Sequence, residues 1–359
     1  MSRRYLLAMT AVCTSFCLWS DGLLWSNART TPIAEAQTPA GSQWSVLSKV
    51  DLNLLDFLVK AVVVDRQNGA IGRNRDRFMT VGFQRYANRF ITYGILTKNV
   101  QLVDIGIKII EYPLSFQKTD GSFEDYSPES KGKSSATSVA FYLNDAGESL
   151  LLCRNSRWFQ ESNETSSLRT KITAMKPAIS NSLTWLISQE AELVKGDGNG
   201  RATNRLWKDA NAYYLTGRAL DRKDAVRLGE KFAIMSLQQQ NAEGAFLEKS
   251  GFDSSYQGVS LQQALLFYTN LSSQASQRPI VWGAIQRAVV LELQSILPTG
   301  EVMTKGNTRV DVGGETYFDK EKTVDYLALV GALSYYHQLT QDQNIKNTLD
   351  RVFTFYSKK

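Results

Sequence analysis

The stretch "EGAFLEKSGFDSSYQGVSLQQ", residues 243–263, sets Glu248, Lys249, Asp253 and Tyr256 close together between two helical patterns. A phenol takes up and returns a proton once neighbouring cations bring its pKa down from ~10, and Lys249 stands seven residues before Tyr256. The carboxylates offer a different chemistry. Glu124 and Asp125 follow the turn "DGSF" as Glu248 and Asp253 follow "EGAF". If the two turns share a rim, one carboxylate can serve as acid and another as base. Upstream, "ATNRLWKDANAY" (202–213) adds Asn204, Arg205 and Trp207, an amide, a cation and an aromatic plate. "DRQNGAIGRNRDR" (65–77) gathers Arg66, Arg73, Arg75 and Arg77 in one glycine-containing segment that could line an anionic cleft.

The elements that must hold these residues are helices. Apolar residues recur with helical period and strand-like alternation is scarce. Helices are expected near 45–66, 79–97, 100–116, 134–152, 168–193, 204–220, 222–240, 257–271, 279–296, 323–340 and 342–356. Residues 86–123 align without gaps on residues 209–246, sharing Ala87/Ala210, Asn88/Asn211, Gly94/Gly217, Gly106/Gly229, Gln117/Gln240, Gly121/Gly244 and Phe123/Phe246. A third, weaker copy is expected from Thr323, closing with Tyr336 and Leu339. Two helices and a glycine turn per unit describe a helical-hairpin array. The first helix of each unit is small or apolar on several faces and the second is amphipathic, which makes inner and outer members. No polar capping unit is evident, so closure into a ring is favoured over an open stack. The expected fold is all-α, an (α/α) toroid or incomplete α/α barrel of five to six helical hairpins, forming one domain over 45–359.

The chain has 359 residues and a net charge of +6. Arg3 and Arg4, the diluted apolar run "YLLAMTAVCTSFCLW" and Ala34-Glu35-Ala36 read as a signal peptide over 1–36, and 37–44 as a linker. A secreted or periplasmic protein is expected, monomeric and with no membrane span once the signal is removed; a signal kept uncleaved as an anchor is the alternative. Positive charge suits an acidic polysaccharide as partner; no basic cluster with interleaved aromatics points to nucleic acid. Of three cysteines, Cys13 and Cys17 fall in the signal, so Cys153 has no intramolecular partner. A single histidine, His337, argues against His-based zinc sites and a Ser-His-Asp triad. It is expected to pack or cap a helix end. "GDGNG" (196–200) lacks the later ligands of a calcium loop and reads as a turn. No metal and no cofactor is expected.

Each repeat ends in "QKTDGSF" or "QNAEGAF". This turn resembles those of α/α-toroid proteins at large, among them polysaccharide lyases, terpene cyclases, prenyltransferase subunits and complement-type thioester domains. The helix "ATNRLWKDANAY" resembles the Asn-His-x-Tyr-Trp helix of mannuronate-specific alginate lyases, with Asn204 on the family's Asn, Arg205 on its His and Trp207 near its aromatic pair. "EGAFLEKSGFDSSYQG" is similar to that family's next segment, with Tyr256 on the catalytic tyrosine and Lys249 on an arginine. Chondroitin and hyaluronate lyases share a looser pattern in which Arg309 stands for a later arginine. The family's histidine is not retained. Neither D-x-D-D nor C-G-E-Q, which cyclases and thioester domains would need, is present.

The resemblance implies β-elimination from a uronate polymer. Tyr256 is then base and acid, Asn204 and Arg205 bind the substrate carboxylate, and Lys249 helps keep Tyr256 ionised. Trp207, Arg309, Arg73, Glu248, Asp253 and Asp125 are the expected substrate-binding residues. A toroid glycoside hydrolase with paired carboxylates ~6.5–9.5 Å apart is the alternative, and a non-catalytic glycan-binding or exopolysaccharide-assembly protein a further one. Plainer roles also exist: Tyr256 as a buried aromatic, Asn204 as an N-cap and Lys249 as a solvated charge.

Overall fold

The computed structural model describes residues 42–127, 130, 132–196, 202–249, 251–317 and 320–358. The stretch read as a signal, most of the linker and the acidic turn at 197–200 lie outside them. Helices α1 (Gln43–Leu47) and α2 (Leu52–Lys60) make the first hairpin, and α3 (Ala87–Leu96) and α4 (Val100–Glu111) the second. The third runs from α5 (Ala136–Asn155) through the short α6 (Arg157–Glu161) to α7 (Ser166–Ser188), with α8 (Glu190–Lys195) trailing. Then α9 (Thr203–Ala219) pairs with α10 (Lys223–Gln238), α11 (Ser254–Asn270) with α12 (Arg278–Gln294), and α13 (Tyr326–Thr340) with α14 (Gln343–Tyr356). A two-residue ribbon, β1 (Thr316–Tyr317) against β2 (Lys320–Glu321), is the only regular sheet among the described residues. The helix α1 starts at Gln43, inside the stretch read as linker, because Ser42 caps it by accepting the Ser45 N–H.

The packing is that of an all-α toroid of six hairpins, as the repeat implied. Helices α3, α5, α9, α11 and α13 touch in that order around the inside. α9 and α11 bury nearly all their residues, whereas α10 and α14 bury one stripe, Ala225, Gly229, Phe232, Ala233 and Ser236 in α10. The ring closes where α2 meets both neighbours. It packs on α3, and Phe57 stands edge-on to Phe353 and Tyr356 of α14, with ring centroids 5.0 and 5.7 Å apart. The sixth inner position is filled only by the single turn of α1, which touches α11 and α13.

The repeated turn works as a clamp between outer helices. Gln117 pairs with Phe123 and Gln240 with Phe246. Gly121 and Gly244 take φ of +89° and +97°, which a side chain resists. A Cβ there would also lie 2.3 Å from the Asn181 carbonyl oxygen of α7 and 2.5 Å from that of Arg287 in α12. Gln117 and Gln240 each donate a 2.8 Å hydrogen bond to the same neighbouring helices, at Ala178 and Ala284. The hairpin α13–α14 begins close to Thr323, where the sequence placed a third copy, but a third glycine turn lies before it. It is the turn Ile296–Val302, whose Gly300 has φ +90° and sits against Arg351 of α14. Ile and Val replace Gln and Phe there, which conceals the match.

Connections from inner to outer helices are short, such as 97–99, 220–222 and 341–342, whereas those returning to the inner helices are long. All the long loops therefore gather at the rim formed by the inner helices' N-termini, where sites carried on loops are expected. Replacing Gly244 by alanine is expected to destabilise the fold by ~1–3 kcal/mol, through positive φ and the collision with Arg287. Urea unfolding checks this; an unchanged midpoint would mean the turn can slide away from α12.

Candidate functional site

On the long-loop rim, Asp253 organises the segment that opened the sequence reading. Its Oδ1 accepts the Tyr256 N–H at 3.0 Å and so caps α11. Its Oδ2 accepts the N–H groups of Arg309 and Val310, both at 2.8 Å, tying down the loop between α12 and α13. Glu248 is fully buried beside it. One oxygen accepts the Asn204 N–H at the start of α9, and the other takes Arg309 Nη1, both at 2.8 Å. Burial pushes the Glu248 carboxyl up to about 7 against those donors.

The guanidinium of Arg309 lies over the Tyr256 ring, 3.8 Å from its centroid, with Lys322 at 5.7 Å. Arg205 is within electrostatic reach of Glu248, Tyr256 and Arg309. Glu315, from the same loop as Arg309, draws in Lys249, Lys322 and the Arg309 Nε. The Tyr256 phenol is raised above its ordinary value, chiefly by burial, although Arg309 pulls the other way.

The second assembly is a cavity of about 150 Å³ at the centre of the toroid. Its walls include Arg85, Asn88 and Arg89 from the start of α3, Asn144, Asp145 and Glu148 from α5, Lys208 from α9, and Gln263 from α11. Asp145 and Glu148 are one helical turn apart and share a face. Asp145 Oδ2 accepts the Ala87 N–H at 2.8 Å, serving the exposed end of α3 in place of a local cap. Glu148 takes Asn88 Nδ2 at 2.7 Å and Gln43 Nε2 at 2.6 Å. Burial lifts Asp145 to about 6, and burial together with the Asp145 charge lifts Glu148 to about 8. Gln43 also accepts from Asn270 at 3.1 Å, so α1 closes the cavity at the short-loop end.

Lys208 reaches over the Phe141 ring, 4.2 Å from its centroid, and Arg85 lies 5.1 Å from the same ring. Burial and the nearby Arg85 pull the Lys208 amine down to about 7. The Asn88 and Asn144 Oδ1 atoms and the Arg85 Nε, on three residues of the cavity wall, are buried without a hydrogen-bond partner. Lys208 and Arg205 are neighbours one turn apart on α9, which joins the rim cluster to the cavity.

The structure thus brings Asn204, Arg205, Lys249, Tyr256, Glu248, Asp253 and Arg309 together, but several differ from their expected roles. Trp207 is completely buried, edge-on to Phe246 at 6.0 Å and packed on Phe267, so it is core and not a sugar platform. The Asp253 carboxylate is spent on backbone N–H groups. Asp125 is buried at the first turn, where it accepts Thr80 Oγ1 at 2.9 Å and the Ser127 N–H at 2.9 Å. Arg73 is exposed in the turn after α2 and does not line the cavity. Lys249 pairs with Glu315 instead of serving Tyr256, and the raised phenol is the reverse of what a resting tyrosinate requires. Asn204 does not cap its helix: Ala202 holds that position, and the Asn204 Oδ1 is buried without a partner. His337 Nδ1 lies 3.0 Å from the Asp342 carbonyl near the α13–α14 turn, a packing role.

Asp145, Glu148, Lys208 and Glu315 were missed. The available signal was the run Asn144, Asp145 and Glu148, charged and amide side chains in the buried middle of a helix. Among the described residues no group of His, Cys, Asp and Glu could hold a metal ion, and no helix is long and apolar enough to cross a membrane.

Comparison with known proteins bears on the fold. No family model and no curated protein matches the chain. Among solved structures, the chain is similar to the unsaturated glucuronyl hydrolase of Bacillus sp. GL1, described as responsible for the degradation of glycosaminoglycan. The TM-score is 0.52 at 15% identity, over 83% of this chain and 86% of that one. The likeness establishes the toroid fold.

Glu292 of α12 makes the site region sensitive to pH. It is fully buried, neither oxygen has a partner, and burial followed by the Asp253 charge holds its carboxyl well above the usual range. Glu148, Asp209 and Glu248 are raised as well, to about 8, about 8 and about 7. In the unfolded chain these groups lose their protons near ~4.3, while the folded chain keeps them, so stability should fall as pH rises from 5 to 7. Glu292→Leu is expected to gain ~1–3 kcal/mol at pH 7 by removing an unsatisfied buried group, and to flatten the pH dependence. Thermal unfolding at pH 5 and pH 7 tests both; an equal or steeper pH loss in the variant would contradict the assignment.

Proposed function

We propose that this protein is a glycan-degrading enzyme that holds an acidic sugar residue in the central cavity and hydrolyses its glycosidic bond. The observation that carries this reading is the Asp145–Glu148 pair. Two carboxyls on one wall of the central cavity are set to different protonation states at neutral pH, about 6 and about 8, the arrangement that divides acid from base work. Glu148, protonated, gives its proton to the leaving oxygen as the C–O bond breaks. Asp145, ionised, takes a proton from the water that forms the new C–OH bond, through Oδ1, whose contact with the Asn88 N–H is long at 3.5 Å, while Oδ2 stays on the Ala87 N–H. Arg85, Arg89 and Lys208 on the walls suit a sugar carboxylate. At about 150 Å³ the cavity is smaller than the ~300–1,000 Å³ of pockets that enclose larger ligands, which favours a terminal residue over an internal stretch of polymer. The activity named for the Bacillus structural neighbour is of the same kind, and the basic apolar leader suits an enzyme that works outside the cytoplasm.

β-Elimination at Tyr256 is the second reading, favoured by the convergence of Asn204, Arg205 and Arg309 on that rim. Products separate the two: hydrolysis yields a new reducing end, and elimination an unsaturated uronate that absorbs in the ultraviolet. On uronate-containing oligosaccharides, Glu148→Gln and Asp145→Asn are each expected to lower the release of reducing ends ~10²–10⁴-fold, with Tyr256→Phe much milder. Full activity in both cavity variants would end the hydrolase reading. Abolition of an ultraviolet-absorbing product by Tyr256→Phe would install the eliminase instead, and binding without turnover would indicate a glycan-binding protein. The wild-type rate is expected to peak between about pH 6 and about pH 8, falling on the acid side as Asp145 protonates and on the alkaline side as Glu148 ionises. A flat profile across that interval would exclude the pair.

A further inference from the structure

The structure assigns a second anion-binding site to the rim, built by Lys249, Lys322 and Arg309 and occupied by the chain's own Glu315 carboxylate, which an acidic ligand displaces. The class of ligand, a sugar carboxylate, rests on the acidic-substrate reading above; the site itself does not.

Three cations from two loops converge on this one side chain. Lys249 and Lys322 bind its two oxygens, one each, and Arg309 Nε stands 3.2 Å from Oε2. Arg309 cannot turn away. It is 2% exposed, its Nη1 is fixed on Glu248 at 2.8 Å, and its guanidinium lies over Tyr256. Lys249 is held with φ +51°, a left-handed conformation that an ordinary side chain avoids. Backbone strain of this kind persists where the surroundings impose a geometry, commonly at ligand clamps. The strain has a visible source, because Glu248 and Gly251 bond each other across a tight reversal, with N–H to carbonyl distances of 2.8 and 3.1 Å. The Arg309 guanidinium and the Lys249 backbone are therefore positioned by contacts that do not depend on Glu315. Glu315 lies in the long loop next to the β1 strand, its N–H bonded to the Arg309 carbonyl at 3.0 Å and its carbonyl to the Lys322 N–H at 2.9 Å, so it is the partly exposed side chain, and not the loop, that an acidic ligand displaces. Its carboxylate carries the charge and shape of a uronate carboxylate, and it lies within electrostatic reach of Tyr256; Arg205, which also acts on Tyr256, stands one turn before Lys208 of the cavity wall.

Calorimetric titration with D-glucuronate, with D-glucose as the neutral control, tests the site. Glu315→Gln is expected to bind glucuronate at least ~10-fold more tightly than the wild type, since a competing charge is gone. Glucose binding should not change, and adding Lys322→Met should cancel the gain. Equal glucuronate affinity in wild type and Glu315→Gln, or an equal gain for glucose, overturns the proposal. Should Glu315→Gln not fold, the unmodified protein supplies the test. A carbodiimide is expected to join Glu315 to Lys249 or Lys322, and sulfate to suppress that crosslink more than chloride of equal ionic strength. A crosslink indifferent to sulfate overturns the proposal. Because these readouts are binding and crosslinking, an enzyme that fails to hydrolyse glycans leaves them intact, and an active hydrolase can still fail them.

Discussion

An inner helix of a closed ring has no solvent face, and most of what this protein does chemically follows from that constraint. A polar group on α5, α9 or α11 must bond to a neighbouring helix or point at the axis. Asn211 does the first, donating to the Gln263 carbonyl at 2.9 Å, while Asp145 and Glu148 do both. The desolvation that raises their pKa values is thus imposed by the architecture. A carboxylate buried without full compensation costs stability, so several such groups on neighbouring helices mark a region where folding has been subordinated to something else.

The fold was largely legible. Helical period, the gapless repeat and the glycine turns come from local rules, and a local rule leaves its mark in a local stretch of sequence. Gly121 and Gly244 were readable because one turn geometry and one helix–helix approach both require the absence of a Cβ. The turn at 296–302 was not, since only Gly300 keeps the pattern and its partners Ile296 and Val302 satisfy the same bridge with different side chains.

The site was legible in part. The residues around Tyr256 could be grouped because several lie within one short loop, yet the structure puts Trp207, Asp253 and Lys249 to other uses than the sequence suggested. Trp207 and Asp253 are the residue types of a sugar-binding site, but burial decides their use, and burial depends on helices far away in sequence. Asp145 and Glu148 went unseen for the same reason. Within α5 they read as ordinary polar positions, and only the neighbours that the ring brings to them, Asn88 from α3 and Gln43 from α1, give them a distinct chemistry.

The contact of Phe57 with Phe353 and Tyr356 has a temporal side. During synthesis α2 emerges long before α14, so the apolar flank of the first hairpin stays without its final partner while every other hairpin is made. Contacts of such high sequence separation are slow to form, because the intervening chain must be ordered before they yield anything. The nascent protein therefore resembles an open arc with two sticky ends until the last helix arrives. In that interval it is vulnerable to pairing with another copy of itself, as unfinished multi-element folds are. The cavity, whose short-loop end is stopped by α1, takes its final form only when that arc becomes a ring.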